Sequence, residues 1–322
     1  MKTDTICFFL LLACSLSARA QVSSGLAQNH IEETAARFVT SSDGTLIAVH
    51  ESGPKQGPPI IFVHGWSANS DVWVQQQSSP LLRQYHIVAM DLRGHGFSGK
   101  PSDPKAYADP NLFADDINAV IQQLQLDRPA LIGWSLGGGI VMEYLQKFGD
   151  SMISGVDLVD TLASPNAMIS QQAVMQIAQN PFIPLLINSD ASTNFTGVVK
   201  YVNFFASASP TDSGPLTAGE ESMLQEIMQS TPVFVRNNYV NGVGAAILTN
   251  FGSVLSALTV PVLLQGAHND AVFPQDLLIP AEAVIIKVPT ERFYPIGGHI
   301  PFLLFPDQFN RDLAAWLATL RF

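Results

Sequence analysis

Short, mostly apolar runs alternate with amphipathic stretches along most of the chain. Such runs occur at 59–63, 86–90, 130–132 and 153–159. Apolar residues on consecutive positions predict strands that are buried on both faces. Residues 111–124 instead place apolar side chains at helical spacing, and so does the segment after Ser135. Buried strands that alternate with helices predict the α/β class, with a mostly parallel central sheet and helices on both of its faces.

The two ends of this pattern add further elements. Residues 36–40 and 45–51 alternate in the manner of strands around Ser42-Asp43-Gly44, which predicts a hairpin. Further strands are predicted at 260–264 and 292–296, and helices at 71–84 and near the C-terminus. The C-terminal helix places these apolar residues on one face: Phe309, Leu313, Trp316, Leu317 and Leu320. Ligands of open parallel sheets bind at the carboxyl ends of the strands, so we expect the chemistry there.

The alternation lapses between about residues 161 and 251, a stretch interrupted by prolines and poor in charge. Thr217-Ala218-Gly219-Glu220 has the pattern of a capping box and predicts a helix start. We therefore predict a mostly helical cap at 161–251, inserted into a core made of 21–160 and 252–322. The apolar character of the cap fits two interpretations, an apolar cavity beneath it or packing within the cap itself.

The first twenty residues have the pattern of a signal peptide. Lys2 supplies a positive start, 6–12 are apolar, and Ala18-Arg19-Ala20 resembles a cleavage site. The pattern predicts a mature chain at 21–322 that is secreted to the exterior or the periplasm. An alternative is a lipid anchor on Cys14. Cys7 and Cys14 are the two cysteines of the sequence, so cleavage would leave no disulfide, thiolate nucleophile or cysteine metal site.

Composition excludes several other functions. The formal net charge is −11, charged residues make up 13% of the chain, and no basic run is present, which argues against nucleic acid as a partner. No segment after the first twenty residues is long and apolar enough to predict a stable membrane span. No metal-ligand spacing and no phosphate-binding glycine loop occurs, so we predict no metal and no cofactor. Asn194-Phe195-Thr196 is a glycosylation sequon, and the oligomeric state stays open.

A candidate nucleophile lies where a predicted strand turns into a helix. Gly133-Trp134-Ser135-Leu136-Gly137 matches the Gly-x-Ser-x-Gly pattern of a nucleophile elbow. A serine hydroxyl needs a general base, and the base needs an orienting acid. Asp270 and His299 follow Ser135 in the order that such a triad takes in this kind of fold. Asp160, which follows the predicted strand at 153–159, is an alternative acid.

Several dispersed motifs resemble the α/β-hydrolase family over nearly all of the mature chain. They are Phe62-Val63-His64-Gly65-Trp66, Asp91-Leu92-Arg93-Gly94-His95-Gly96-Phe97-Ser98, Gly133-Trp134-Ser135-Leu136-Gly137-Gly138 and Gly298-His299. The His-Gly-Trp turn, the glycines after the nucleophile and His299-Ile300-Pro301-Phe302 resemble the branch of serine esterases and cofactor-free haloperoxidases, or perhydrolases. The resemblance implies an α/β-hydrolase fold with a helical cap.

The resemblance also implies a role for each site residue. Ser135 would be the nucleophile, His299 the general base and Asp270 the acid that orients it. The backbone N–H groups of Trp66 and Leu136 would form the oxyanion hole. We expect His64 and His95 to brace their loops, and His268 to have a structural role.

Four functions remain open after these assignments. We expect a secreted hydrolase that cleaves a small carboxylic ester with an apolar acyl part through an acyl-enzyme. The same triad serves a perhydrolase of the haloperoxidase type, or a lactone or carbon–carbon bond hydrolase. A ligand-binding protein on a hydrolase scaffold is the alternative from another class.

Overall fold

An eight-stranded sheet organises the part of the chain that the computed structural model describes, residues 36–161, 175, 179–206, 216–242, 251–273, 275–287 and 289–322. The strands are β1 (Arg37–Thr40), β2 (Leu46–Ser52), β3 (Pro59–Val63), β4 (His86–Met90), β5 (Ala130–Trp134), β6 (Gly155–Val159), β7 (Val262–Ala267) and β8 (Pro289–Tyr294). Their order across the sheet is β1-β2-β4-β3-β5-β6-β7-β8. β3 to β8 run parallel, and β2 is antiparallel to both of its neighbours.

Helices connect most of the parallel strands. They are α1 (Val74–Gln77), α2 (Pro110–Leu124), α3 (Leu136–Phe148), α4 (Ile183–Leu186), α5 (Ala191–Ala206), α6 (Ala218–Gln229), α7 (Val233–Gly242), α8 (Gly252–Ala257), α9 (Gln275–Ala283), α10 (Pro301–Leu304) and α11 (Pro306–Leu317). Two 3-10 helices occur at Ser70–Trp73 and Pro104–Tyr107. The predicted α/β architecture, a mostly parallel sheet with helices, is confirmed.

Both faces of the central strands are buried, as their apolar runs predict. In β3, Ile60 and Phe62 belong to one hydrophobic cluster, while Ile61 and Val63 belong to another. The side chains of a strand alternate between the two faces, so these clusters are the two helix-covered layers of the core. The C-terminal α11 packs into the first cluster through its predicted apolar face, although Leu320 lies beyond the end of the helix.

The predicted β1–β2 hairpin is confirmed. The amide of Gly44 donates to the carbonyl of Ser41 over 3.0 Å, and the amide of Ser41 donates to the carbonyl of Thr45 over 2.8 Å. Gly44 adopts a φ of 85°, a left-handed conformation that glycine tolerates without strain. Residues 41–45 therefore close the turn between the first two strands.

The helix predicted at 71–84 is wrong over most of its length. The chain forms only the 3-10 helix Ser70–Trp73 and the single turn α1, and then continues in turns to β4. Pro80 has no N–H group to donate, and its ring clashes with the preceding helical turn. The hydroxyl of Ser78 also donates to the carbonyl of Val74 over 2.7 Å at the end of α1.

The described part of the predicted cap is helical. α4 to α7 lie between β6 and β7 in the chain, and α6 begins with the predicted capping box, in which Thr217 and Glu220 bond reciprocally. Val198 and Val202 of α5 are fully buried in a cluster shared with the sheet, so core packing accounts for part of the cap's apolar character. The boundaries at 161 and 251 stay a prediction, because 162–174, 176–178, 207–215 and 243–250 lie outside the described residues. The predicted signal peptide at 1–20 lies outside them too.

Arg236 joins the helices of the cap to one another. Its buried guanidinium donates to the carbonyls of Leu186 and Met228 and to the side-chain oxygen of Asn194. Burial lowers the pKa of Arg236 to about 10. The amide nitrogen of Asn194 donates to the Leu186 carbonyl over 2.6 Å, so the folded chain uses the sequon's nitrogen internally.

Candidate active site

Ser135 occupies a sharp turn between β5 and α3. Its backbone has a φ of 54° and a ψ of −123°, a conformation that side-chain-bearing residues rarely adopt. The turn needs glycine beside it, because a Cβ on Gly137 would stand 2.2 Å from the Val63 carbonyl oxygen. The Thr161 hydroxyl donates to the Ser135 carbonyl over 2.6 Å and holds the turn from the neighbouring strand's end. The predicted nucleophile elbow is therefore present as strand, strained turn and helix.

Three predicted side chains meet at the carboxyl ends of the parallel strands. The Nε2 atom of His299 lies 2.7 Å from the Oγ of Ser135, and its Nδ1 atom lies 3.0 Å from the Oδ2 of Asp270. Asp270 follows β7 and His299 follows β8. With Nδ1–H donating to the carboxylate, Nε2 is free to accept the hydroxyl proton of serine.

Asp270 is held as an acceptor by several donors. Its Oδ1 atom accepts the amide N–H groups of Val272 at 2.7 Å and Phe273 at 3.2 Å. Its Oδ2 atom accepts from the side-chain amide of Gln275 at 3.3 Å in addition to His299. These four donors fix the carboxyl group of Asp270 in its orientation toward His299.

Asp160, the alternative acid, is placed differently. Its carboxyl group is fully buried, and its Oδ1 atom accepts the amide of Ala267 over 3.0 Å. Burial raises the pKa of Asp160 well above its ordinary value, and the nearby charge of Asp270 raises it further. The structure pairs His299 with Asp270 and leaves Asp160 beside that acid.

The two amides predicted for the oxyanion hole flank Ser135. Leu136 is the first residue of α3, and Trp66 follows β3 through the His64-Gly65 turn. A Cβ on Gly65 would stand 3.1 Å from the Cβ of Ser135, so this turn lies directly against the nucleophile. Within the described ranges, no acceptor is bound to the backbone amide of Trp66 or Leu136. Their role in stabilising an oxyanion stays a prediction.

Backbone contacts of His299 were not predicted from the sequence. Its amide donates to the carbonyl of Phe205 over 2.6 Å, and its carbonyl accepts the indole N–H of Trp134 over 2.7 Å. The side-chain oxygen of Asn269 accepts the amides of Gly297 and Gly298, both at 2.9 Å. Phe205, Trp134 and Asn269 are all distant in the chain from the loop that carries His299, and no local sequence signal indicated these bonds.

A model of the family described as alpha/beta hydrolase fold matches residues 58–306. The chain belongs to the alpha/beta hydrolase fold family. It is 26% identical over 296 residues to a non-heme chloroperoxidase of Streptomyces lividans, covering 87% of this chain and 99% of that protein. It is 27% identical over 291 residues to a bifunctional esterase/perhydrolase of Acinetobacter calcoaceticus, covering 88% and 99%.

A solved structure is similar to this α/β-hydrolase over most of its length. It is a Burkholderia cenocepacia protein assigned as an aryl esterase, 30% identical, with a TM-score of 0.75. The similarity covers 88% of this chain and 98% of that one. The expected resemblance to esterases and non-heme haloperoxidases is thereby confirmed, and the chain is a hydrolase by family.

Three other histidines of this α/β-hydrolase, His64, His95 and His268, have structural partners. His64 accepts the amide of Leu92 on Nε2, and His95 accepts the amide of Ser67 on Nε2, both at 3.0 Å. Burial lowers the pKa of both imidazoles, so they stay neutral. The predicted bracing role of both is confirmed. His268 is half-exposed, bonds to Asp276 and stacks on Phe293.

Aromatic side chains of the predicted cap and of the loop after β7 lie near the site. The Tyr201 ring of α5 meets the Trp66 ring edge-on at 6.1 Å and the Phe205 ring at 5.2 Å. The ring of Phe273 lies 5.4 Å from the imidazole of His299. Burial, followed by the charge of Asp270, raises the pKa of Tyr201, so its hydroxyl is neutral. The surroundings of the hydrogen-bonded chain are therefore largely apolar.

The described ranges contain neither a metal-binding cluster nor a membrane-spanning helix. There, no group of three His, Cys, Asp or Glu side chains could hold a metal ion. No helix in that part of the chain combines the length and apolar character needed to cross a bilayer.

Proposed function

We propose that the chain is a serine hydrolase that cleaves small carboxylic esters with an apolar acyl part through an acyl-enzyme. The observation that carries the proposal is the hydrogen-bonded chain from the Ser135 hydroxyl through His299 to Asp270. The strained backbone of Ser135 raises the hydroxyl at the rim of the sheet, which is the arrangement of an activated nucleophile. Relatives and a neighbouring structure named as esterases support it.

Each group has a definite task in this reaction. His299 Nε2 takes the proton of Ser135 as Oγ attacks the ester carbonyl, and the oxyanion forms against the amides of Trp66 and Leu136. Asp270 holds the imidazole tautomer and stabilises the imidazolium. His299 then returns the proton to the leaving alcohol. Water repeats the sequence on the acyl-enzyme and releases the acid and the serine.

The apolar acyl preference is inferred from the aromatic surroundings. Trp66 follows Gly65, which lies against Ser135, Tyr201 packs on Trp66, and Phe273 packs against His299. An apolar or aromatic acyl group gains free energy there by leaving water, whereas a charged acyl group would lose its hydration. We therefore expect kcat/KM to rise from p-nitrophenyl acetate to the butyrate or benzoate, and to fall for the hemisuccinate.

Burst kinetics with p-nitrophenyl acetate test the acyl-enzyme. Wild type should release one equivalent of p-nitrophenol per site before steady turnover, and Ser135→Ala should show no burst. A wild-type rate equal to that of Ser135→Ala over the ester panel would instead favour the ligand-binding alternative.

Perhydrolysis is a second candidate function, since one relative is named an esterase/perhydrolase and covers 88% of this chain. The acyl-enzyme would be the same, and hydrogen peroxide would replace water as the second nucleophile and yield a peracid. The partition of one ester between acid and peracid at a fixed peroxide concentration tests it. Peracid as the main product would favour perhydrolase activity, and acid alone would exclude it. A series of lactones and carbon–carbon substrates would test the remaining alternatives.

We further propose that residues 1–20 direct export and are removed. The support is the sequence pattern of Lys2, the apolar run 6–12 and Ala18-Arg19-Ala20. Expression of the full chain, followed by N-terminal sequencing of the exported protein, should give Gln21 as the first residue. A chain that begins at Cys14 and carries lipid would support the anchored alternative. A full-length chain retained inside the cell would contradict export.

A further inference from the structure

Asp160 lies beside the acid of the triad. It follows β6, whereas Asp270 follows β7, and these two strands are paired in parallel. The Asp160 amide donates to the Gln265 carbonyl over 2.8 Å, and its Oδ1 atom accepts the Ala267 amide over 3.0 Å. These bonds fix the residue with a left-handed φ of 42° at the edge of the site. The carbonyl of the same Ala267 accepts the amide of Asp270 over 3.2 Å, so one residue holds both aspartates next to each other.

The two carboxyl groups receive very different numbers of donors. Asp270 accepts from two backbone amides, from Gln275 and from His299. Asp160 accepts from the Ala267 amide alone, and its buried Oδ2 atom has no donor among the described residues. A buried acceptor without a donor is costly, and it is far costlier when it carries charge.

Among the described residues, the neighbours of Asp160 supply no compensating positive charge. Asp157 on β6 is another fully buried carboxyl group, bonded through Oδ2 to the Gln265 side chain at 2.8 Å. The Tyr294 hydroxyl of β8 donates to Gln265 and is not turned to Asp160. His299, the one imidazole of the triad, is bonded to Asp270. Two negative charges on neighbouring buried carboxyl groups repel each other, and this repulsion favours a proton on one of the two groups.

We propose that Asp160 is a positioning residue that carries this proton on Oδ2 and donates a hydrogen bond to the carboxylate of Asp270. The donor counts place the proton on Asp160, because Asp270 accepts four hydrogen bonds and Asp160 accepts one from the described residues. The raised pKa of Asp160, caused first by burial and then by Asp270, agrees with this placement. When protonated, the Oδ2 atom of Asp160 becomes a hydrogen-bond donor instead of an acceptor without a donor. Asp270 then gains a further hydrogen bond that fixes its orientation toward His299.

The protonation state of Asp160 is independent of turnover, while its effect on catalysis rests on the proposed function. A neutral Asp160 leaves His299 facing a single negative charge. An ionised Asp160 would add a second one and raise the pKa of the imidazole. The charge of residue 160 therefore affects the acid limb of the plot of kcat/KM against pH, because that limb reports the general base, His299, in the free enzyme.

Two substitutions separate the roles of donor and charge. Asp160→Asn keeps the size and a donor and removes only a possible charge, so we expect kcat/KM and its acid limb to match wild type. Asp160→Ala removes the donor, so we expect kcat to fall about tenfold with KM little changed. Asp157→Ala is the matched control, because it removes a buried carboxyl group of the same strand that is bonded to Gln265 rather than to Asp270. It should leave kcat near the wild-type value.

Infrared difference spectra measure the proton directly. Wild type minus Asp160→Asn at pH 7 should show the carbonyl stretch of a protonated carboxylic acid, and no carboxylate bands. Carboxylate bands in that difference, or an acid limb lowered by about one pH unit in Asp160→Asn, would overturn the proposal. Equal losses of kcat in Asp160→Ala and Asp157→Ala would overturn the positioning role. If wild type proved no faster than Ser135→Ala, the proposed function would fail, while the infrared band would still decide the state of Asp160.

Discussion

The backbone amide of His299 donates a 2.6 Å hydrogen bond to the carbonyl of Phe205. Phe205 lies in the last turn of α5, within the predicted cap, whereas His299 follows the last strand of the sheet. The general base of the proposed mechanism is thus bonded directly to the cap. Displacement of α5 would move the imidazole relative to Ser135, so the cap that surrounds the substrate also sets the geometry of the base.

A methyl group at Gly298 should disturb this contact. A Cβ there would stand 2.3 Å from the Phe205 oxygen, and Gly298 has a left-handed φ of 52°. We expect Gly298→Ala to lower kcat/KM by about 10- to 100-fold, because small misplacements of catalytic groups have effects of that size. Steady-state kinetics on a short p-nitrophenyl ester measure it.

Gly44→Ala is the matched control for that variant. Gly44 also has a left-handed φ, 85°, but a Cβ there would meet nothing within 4 Å. Both alanines carry a backbone cost of about 1–2 kcal/mol, so both should lower the free energy of unfolding. Only Gly298→Ala should lose activity, and equal activity of the two variants would show that the Phe205 contact does not position His299.

The indole N–H of Trp134 should position His299 from the other side. Trp134→Phe removes the donor to the His299 carbonyl and leaves a buried acceptor unpaired, at a cost of about 1–3 kcal/mol. We expect kcat/KM to fall about tenfold. Trp316→Phe removes a buried indole whose N–H has no partner among the described residues, so it should leave kcat/KM unchanged. A similar loss in both variants would point to general loosening of the core.

Glu143 should make the stability depend on pH. Burial on α3 raises its pKa from 4.5 to about 7. Between pH 4.5 and about pH 7, the folded chain holds a proton on Glu143 that the unfolded chain has released. The contribution of this proton to the free energy of unfolding is therefore complete below pH 4.5 and is lost as the pH rises to about 7. Glu143→Gln lacks this loss. The change in pKa corresponds to about 3 kcal/mol, and solvent screening of this incompletely buried carboxyl group reduces the expected effect to about 2 kcal/mol. Denaturant unfolding should therefore show the variant gaining about 2 kcal/mol relative to wild type between pH 4.5 and pH 8. A constant difference over that range would contradict the assignment.

The sheet could be predicted because its signal is local. The apolar runs at β3 and β4 and the elbow at Ser135 each lie within a few residues, and the structure reproduces them. The helix predicted at 71–84 was wrong because the helical pattern was given more weight than Pro80, although that proline is visible in the sequence and breaks a helix. One residue that cannot fit a helix, such as Pro80, ends the helix even where the surrounding pattern favours it.

The sequence allowed prediction of which residues form the candidate site, but not of the hydrogen bonds that hold them in place. Motif order identified Ser135 and His299, but it left Asp160 and Asp270 both open, because the two carboxylates follow adjacent strands at the same edge of the sheet. The structure distinguishes the two aspartates, because His299 is bonded to Asp270 and because Asp270 accepts more hydrogen bonds than Asp160. The hydrogen bonds of His299 to Trp134 and Phe205 join residues that are far apart in the chain, so no local sequence pattern predicts them.

Fluorophosphonate labelling followed by peptide mapping tests the central claim most directly, that His299 and Asp270 activate the hydroxyl of Ser135. The account predicts one label per chain, on Ser135, at a rate that falls by several orders of magnitude in His299→Ala, which should still be folded. A label on another residue, or equal labelling of wild type and His299→Ala, would contradict it.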